Sequence, residues 1–200
     1  MQIDPALLSR RDAYHFLITS IVPRAIAFVT TVNETGGTNA APFSYFTGVG
    51  SSPPSVLICA GRRRESLKDT HRNIERTGEF VVNVVVEEIM GGVVIGGTDH
   101  PPDVSEIELA RLATSPAVKI SPPLIAASPI NLECRRSHIF EAAGSAIIVG
   151  EIVWAHVRDD VLDPAATSNA PLVDIAKLRP IGRLGGDLYA RLGEVFERPR

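Results

Sequence analysis

The chain has 200 residues, of which 44% are hydrophobic and 22% charged, and its formal net charge is −3. That balance belongs to a globular chain long enough for a substantial core and excludes a disordered one. It gives no bulk electrostatic reason to bind nucleic acid or an anionic membrane, so any basic patch has to be local.

The opening "MQIDPALLSRRDAYHF" carries an acid and a proline early and has no long apolar stretch, so it does not read as a secretory signal. The longest apolar runs, "FVVNVVV" and "AIIVG", are strand-sized and too short to span a membrane, and the expectation is a cytoplasmic protein. Ser9 with Asp12 has the spacing of a capping box, and Tyr14, Leu17 and Ile18 fall on one face, which predicts a helix over about residues 10–20. "RAIAFVTTV" (24–32) is rich in strand formers, "NETGGTN" has turn chemistry, and "AAPFSYFTGV" reads as the returning strand of a hairpin. "SVLICAG" (55–61) is a third strand, entered after Pro53-Pro54. Lys68, Asp69 and Thr70 open a short helix that ends at Gly78, and "EFVVNVVV" (79–86) follows as a fourth strand.

"EEIMGGVVIGG" predicts a helix start that breaks at Gly91-Gly92, and residues 103–113 have helical spacing. "SPPLIAASPINLECRR" and "IFEAAGSAIIVGEIVWAHV" read as strands with a bend or hairpin at Gly144. The tail from Asp159 to Arg200, with scattered Pro and Gly, predicts extended connections with little regular structure. No repeat or composition shift divides the chain, so residues 1–200 read as one mainly β domain, a barrel with a few peripheral helices. Cys59 and Cys134 are too few and too far apart for a disulfide framework or a zinc site and read as reduced thiols in or near the core.

The local basic patch is "GRRRESLKDTHRNIERTGEF" (61–80). A helix N-terminus attracts anions because unpaired N–H groups and the positive end of the dipole coincide there. Lys68, Thr70 and the guanidinium groups of Arg62, Arg63 and Arg64 would suit a phosphate monoester. Solvated surface charges partnered by Glu65 and Glu75 are the alternative. No G-x-x-x-x-G-K-[ST] motif occurs, and "GVVIGG" reads as a structural turn. The neighbouring "NAAPFSYFTGVGSSPPSVLICAG" adds Pro42, which exposes its strand's edge, aromatic residues on both faces, and small residues that let backbone approach a planar ligand. A flavin needs such a place: donors toward its polar edge, a flat apolar surface and a remote anion hole. No G-x-S-x-G elbow and no metal-spaced His or Cys cluster supports a hydrolase, and the short basic cluster does not support nucleic-acid binding.

In order along the chain, "PRAIAFVTTV", "NAAPFSYF", "SSPPSVLI", "KDTHRNI" with "TGEFVVN", "GEIVWAHVRDDVL" and "RPIGRLGGDLY" resemble the flavin reductase-like family of FMN-binding split-barrel proteins that includes flavoredoxin. The resemblance implies a Greek-key split β-barrel and a homodimer with FMN at the subunit interface. By position, Pro42, Phe43, Ser44, Tyr45 and Phe46 would lie along the isoalloxazine ring, with Ser44 serving its polar edge and Ser51 on a nearby loop. Cys59 and Gly61 would end a strand beneath the flavin. Lys68, Asp69 and Thr70 would bind the phosphate, with Arg62 near it, Asn73 in support, and Asp69 capping the helix or orienting Lys68. Arg183 would reach the site from the partner subunit, while Tyr189 reads as an aromatic packer and Trp154 as core or dimer interface.

The implied activity is that of a flavin reductase: NADH or NADPH reduces bound FMN, which passes electrons to oxygen, free flavin, a partner monooxygenase, another redox protein or a metal complex. No side chain is required as acid, base or nucleophile. Two departures stand out. Ala25 takes the place of a usual proline, and Ser145 stands about where many reductases of the broader superfamily have a histidine, with His138 further upstream as a substitute. The second departure keeps open a flavoredoxin-like electron carrier reduced by a partner protein, or a module that only binds FMN.

Overall fold

The computed structural model describes residues 1–61, 67–101 and 104–198. Helix α1 (Arg10–Ser20) starts as its capping box dictates: Ser9 Oγ accepts from the Asp12 N–H at 3.1 Å and donates to the Asp12 carboxylate at 2.6 Å. Of its expected apolar face only Ile18 is buried, while Tyr14 and Leu17 stay exposed. Strands β1 (Arg24–Ala25), β2 (Ala27–Val32) and β3 (Thr38–Phe43) follow. The predicted returning strand then breaks at Ser44-Tyr45, and β4 (Phe46–Ser51) leads into β5 (Pro54–Gly61).

Helix α2 (Asp69–Thr77) ends at Gly78, whose φ of 72° is the left-handed conformation that closes a helix without a Cβ penalty. Beyond β6 (Glu79–Val84), a 3-10 turn at Glu87–Ile89 runs into α3 (Met90–Gly96), so the helix continues through the glycine pair expected to break it. A Cβ at Gly92 would lie 2.4 Å from the Leu112 side chain, and one at Gly96 would lie 2.6 Å from the Ala40 carbonyl. These glycines are where α3 meets its neighbours at close range. Of the helix expected over 103–113, only α4 (Glu106–Leu109) forms.

The short pair β7 (Thr114–Ser115) and β8 (Leu124–Ile125) precedes the long strands β9 (Ile130–Ala142) and β10 (Ser145–Val157), which turn at Ala143-Gly144, both with positive φ. The tail is more ordered than its sequence suggests. It holds α5 (Ile175–Leu178), β11 (Ile181–Arg183) and β12 (Tyr189–Arg191), and β11 lies between β1 and β12 in a small sheet.

The main sheet runs β3-β2-β6-β9-β10-β5-β4, with each neighbouring pair antiparallel. Its two edges, β3 and β4, are separated in the chain only by Ser44-Tyr45. Laid flat, seven strands would hold those edges about 29 Å apart, whereas three peptide steps reach at most about 11 Å. The sheet therefore rolls up, and the Cys59 N–H donates to the Tyr45 carbonyl at 2.9 Å, extending the β4–β5 ladder one residue past Phe46. Pro42, which has no N–H, lies on the β3 edge where no ladder partner is required.

Alternation sorts the strands: Val56, Ile58 and Ala60 of β5 and Ala146 and Ile148 of β10 point inward onto Phe80, Ile74, Val29 and Cys134. A second cluster, with Phe28, Ala40, Ile89, Val93, Ile107 and Ile125, lies outside the barrel wall, under α3 and α4. Cys59 and Cys134 are both free thiols, the second fully buried.

Candidate functional site

Where the rolled sheet meets its flanking helices, a cleft of about 540 Å³ opens between the β3 edge, the start of α2, the end of α3, α1 and the β11–β12 turn. Of the residues singled out in the sequence, Pro42, Ser44, Lys68, Asp69, Thr70 and Arg183 line it. Arg62 lies outside the described residues, together with Arg63 and Arg64.

One end of the cleft is built on α2. Lys68 is the N-cap position and makes no side-chain capping bond, so no side chain caps the first-turn N–H groups through that residue. Its ammonium lies 5.5 Å from the centre of the Phe43 ring, which is buried in the core below. Asp69 opens the helix and forms an ion pair with Arg72 one turn on, rather than capping through its side chain. Thr70 is 1% exposed, and its hydroxyl accepts from the Asn39 amide at 3.1 Å. Asn73 is turned to the barrel, where its amide donates to Thr31 Oγ1 at 3.0 Å, so its side chain does not support this end directly.

The remaining predicted residues lie on the barrel rather than in the cleft. Phe46 packs against the inner core. Cys59 lies half-buried on the outer face of β5, with its thiol pKa raised by burial. Gly61 ends β5 opposite Ser145. Ser51 is exposed at the far end of β4, five residues and roughly 17 Å along the strand from Phe46. Tyr45 sits at the corner, its hydroxyl pKa raised by burial and by Tyr14 and Cys59 against the opposing charge of Arg24. Arg183, expected to act in a partner's site, lines the same chain's cleft as Lys68. It stacks 4.3 Å over Tyr189 and donates to the Gly186 carbonyl at 2.5 Å. Tyr189 packs against the second cluster, as expected of an aromatic packer. Trp154 is not core: it is 44% exposed, with Lys119 above its ring.

Two residues of the cleft carry no signal in a residue-by-residue reading. Arg24, the lone charge at the start of an apolar strand run, is 7% exposed and bonds to carbonyls of α1 and of the tail. Glu106, an ordinary first-turn acid by sequence, is 7% exposed and accepts the Ala40 N–H at 3.0 Å on the open edge of β3. Burial raises the Glu106 pKa and Asp69 adds to the effect, while the Ala40 bond and His100 oppose it. Among the described residues no three His, Cys, Asp or Glu side chains are grouped to hold a metal, and no helix is long and apolar enough to cross a membrane.

Residues 19–178 match the family model described as "Flavin reductase like domain". The chain belongs to the flavin reductase-like family. Along its whole length this flavin reductase-like protein is 37% identical to the protein BH2278 of Halalkalibacterium halodurans, covering 96% of that protein. Among solved structures it is similar to nitrilotriacetate monooxygenase component B from Bacillus cereus, with 33% identity, a TM-score of 0.91, and 99% and 98% of the two chains covered. It is also similar to the 2-nitrobenzoate 2-nitroreductase NbaA of Pseudomonas fluorescens, with 31% identity, a TM-score of 0.89, and 100% and 96% covered. The rolled sheet with its unzipped β3–β4 seam is the family's split barrel, and the chemistry of the family is flavin-linked oxidoreduction.

Proposed function

We propose that this protein holds FMN in the cleft, phosphate at the start of α2 and ring along Pro42 and Ser44, and that NADH or NADPH reduces it for onward transfer to an acceptor. The observation that carries this reading is the start of α2: a nine-residue helix without a side-chain cap at its N-cap residue, opening into the cleft with Lys68 beside it. Backbone N–H groups and an ammonium together form the donor set that a terminal phosphate needs.

When bound, the flavin supplies hydride acceptance and electron release, so the chain's own groups bind, orient and exclude water. Lys68 would hold the phosphate and Ser44 would meet the ring's polar edge, while Pro42 presents no backbone N–H on the β3 edge. Phe43 supports Lys68 from below. The similarity to a monooxygenase component B supports a partner monooxygenase as the acceptor, and the half-buried apolar residues on the outer face of β5 and β10, which no helix among the described residues covers, support a homodimer.

A second reading is an electron carrier reduced by a protein partner, and Ser145 favours it. His138 cannot stand in for a histidine at that position. It pairs with Val149, four residues and about 14 Å further along the β10 ladder, and stacks on Phe140.

An anaerobic absorption titration of the FMN-loaded protein decides between the readings. Bleaching by NADH or NADPH well above the rate for free FMN is the expected result. Binding without bleaching selects the electron carrier, and failure to take up FMN overturns the flavin site.

A further inference from the structure

The geometry points to Arg24 as a positioning residue that fixes Ser44 as a hydrogen-bond donor to the cleft and biases it toward a planar heterocycle whose acceptor edge gains negative charge on reduction. This rests on the flavin reading and goes beyond it by naming what sets the flavin's redox poise. The Arg24 guanidinium carries five N–H donors and no acceptor. Its Nη1 donates to the carbonyls of Ile18 at 2.6 Å and Ile21 at 2.8 Å, which close the end of α1. Its Nη2 donates to the Leu184 carbonyl at 2.8 Å, in the turn between β11 and β12, and its Nε donates to Ser44 Oγ at 3.4 Å. One side chain thus ties together three walls of the cleft.

Two consequences follow from chemistry alone. Because Arg24 can only donate, Ser44 Oγ is the acceptor in that contact, and the single hydroxyl proton is left for another partner. Ser44 lines the cleft, so a ligand there meets a hydroxyl whose proton is free to donate. The second consequence concerns charge. Arg24 is 7% exposed, and among the described residues no carboxylate pairs with it. A buried cation balanced only by carbonyl dipoles favours negative charge at the nearest open space, here the cleft behind Ser44. Arg24 and Ser44 therefore act in series to favour the reduced ligand over the oxidised one.

The test is the midpoint potential of flavin-loaded wild type, Ser44→Ala, Ser44→Thr, Arg24→Gln and the Arg24→Gln/Ser44→Ala double variant. Ser44→Ala should lower the preference for reduced over oxidised FMN about tenfold, a fall of about 30 mV for a two-electron couple. Ser44→Thr, which keeps the hydroxyl, should retain the wild-type value. Arg24→Gln should lower the potential at least as much, and the double variant should fall no further than the larger single change. A merely structural Arg24 would lower thermal stability and leave the potential unmoved, which overturns the inference, as do strictly additive shifts. If Arg24→Gln does not fold, an unchanged potential in Ser44→Ala overturns it alone. A wild-type protein that takes up no flavin fails the flavin reading itself, and the spectrum of the loaded wild type tells the two failures apart.

Discussion

Glu133 is fully buried on the outer side of β9, beneath the segment 116–121. Its carboxylate accepts the N–H groups of Val118 and Lys119, each at 2.7 Å, and meets His156 Nε2 at 2.6 Å. Burial alone would raise its pKa, but the His156 bond and the two backbone N–H groups outweigh it, and the net shift is downward. With the folded value below the unfolded one, the ionised carboxylate contributes stability above the ordinary value of 4.5, and that contribution drains away as pH falls through the folded value. Glu133→Gln turns an amide donor toward one of the N–H groups, so it should cost about 1–3 kcal/mol at neutral pH. Chemical denaturation from pH 7 down to pH 3 should show that loss at neutral pH and a flatter decline in acid than wild type. Lys68 is the corresponding test in the cleft. Lys68→Ala should weaken FMN binding roughly tenfold to a hundredfold, the range for one charge-assisted bond, and leave riboflavin nearly unaffected. Equal loss for both ligands would place the phosphate elsewhere. Thr70→Ala is a poorer probe, because it strands the buried Asn39 amide.

At the scale of elements, the strands declared themselves through β-branched and aromatic runs, and α1 and α2 through Ser9, Asp12 and Gly78, because those signals are local. What was not local was not legible. The Gly91-Gly92 pair of α3 read as a breaker, yet Gly91 faces open space, Gly92 meets Leu112, and Gly96 meets Ala40 and Phe28, contacts that only tertiary packing defines. Strands β11 and β12 have three residues each, too few for a period to show, and exist through pairing, β11 with β1 and β12 with β11. Arg24 looked like an ordinary strand residue because its partners lie on α1 and on a tail 160 positions away. Lys68, by contrast, was singled out from helix-end chemistry written in neighbouring residues and Ser44 through the family resemblance of its segment, and both line the cleft. Gly150 is the sharpest test of how tightly the long hairpin is fitted to the barrel. It sits at a register shift in β10, and a Cβ there would lie 2.4 Å from Phe80 Cζ and 3.2 Å from Cys134 Cβ, both in the core. Gly150→Ala should therefore cost about 1–3 kcal/mol by overpacking, read as a melting temperature several degrees lower. Adding Phe80→Leu should recover part of that loss; a melt unchanged from wild type would mean the bulge absorbs the methyl group.

The whole molecule is lopsided in a way that bears on how the site is completed. Helices α3 and α4 and the 116–125 segment cover the outer faces of β2, β3 and β6, and their apolar side chains form the second core cluster. Among the described residues no such layer lies over β10 and β5. There Leu57, Cys59, Ile147 and Val149 are only half-buried, and Phe140 of the neighbouring strand β9 is 53% exposed beside His138. Val49 on β4, the strand beside β5, is also 53% exposed. A contiguous apolar sheet face of this kind is costly in water and is normally covered. In the proposed dimer a second copy covers it, bringing Cys59 and Gly61 into the shared interface near the flavin. Phe140→Asp tests this without disturbing the monomer, because the side chain already faces solvent in one chain. Light scattering should give wild type twice the 21.5 kDa chain mass and the variant a concentration-dependent shift toward one chain mass. FMN affinity should fall with the dimer while the isolated fold keeps its far-ultraviolet spectrum. Dimeric Phe140→Asp with unchanged FMN affinity would put the contact on another face, and a monomeric, FMN-binding wild type would show that one chain completes the site by itself.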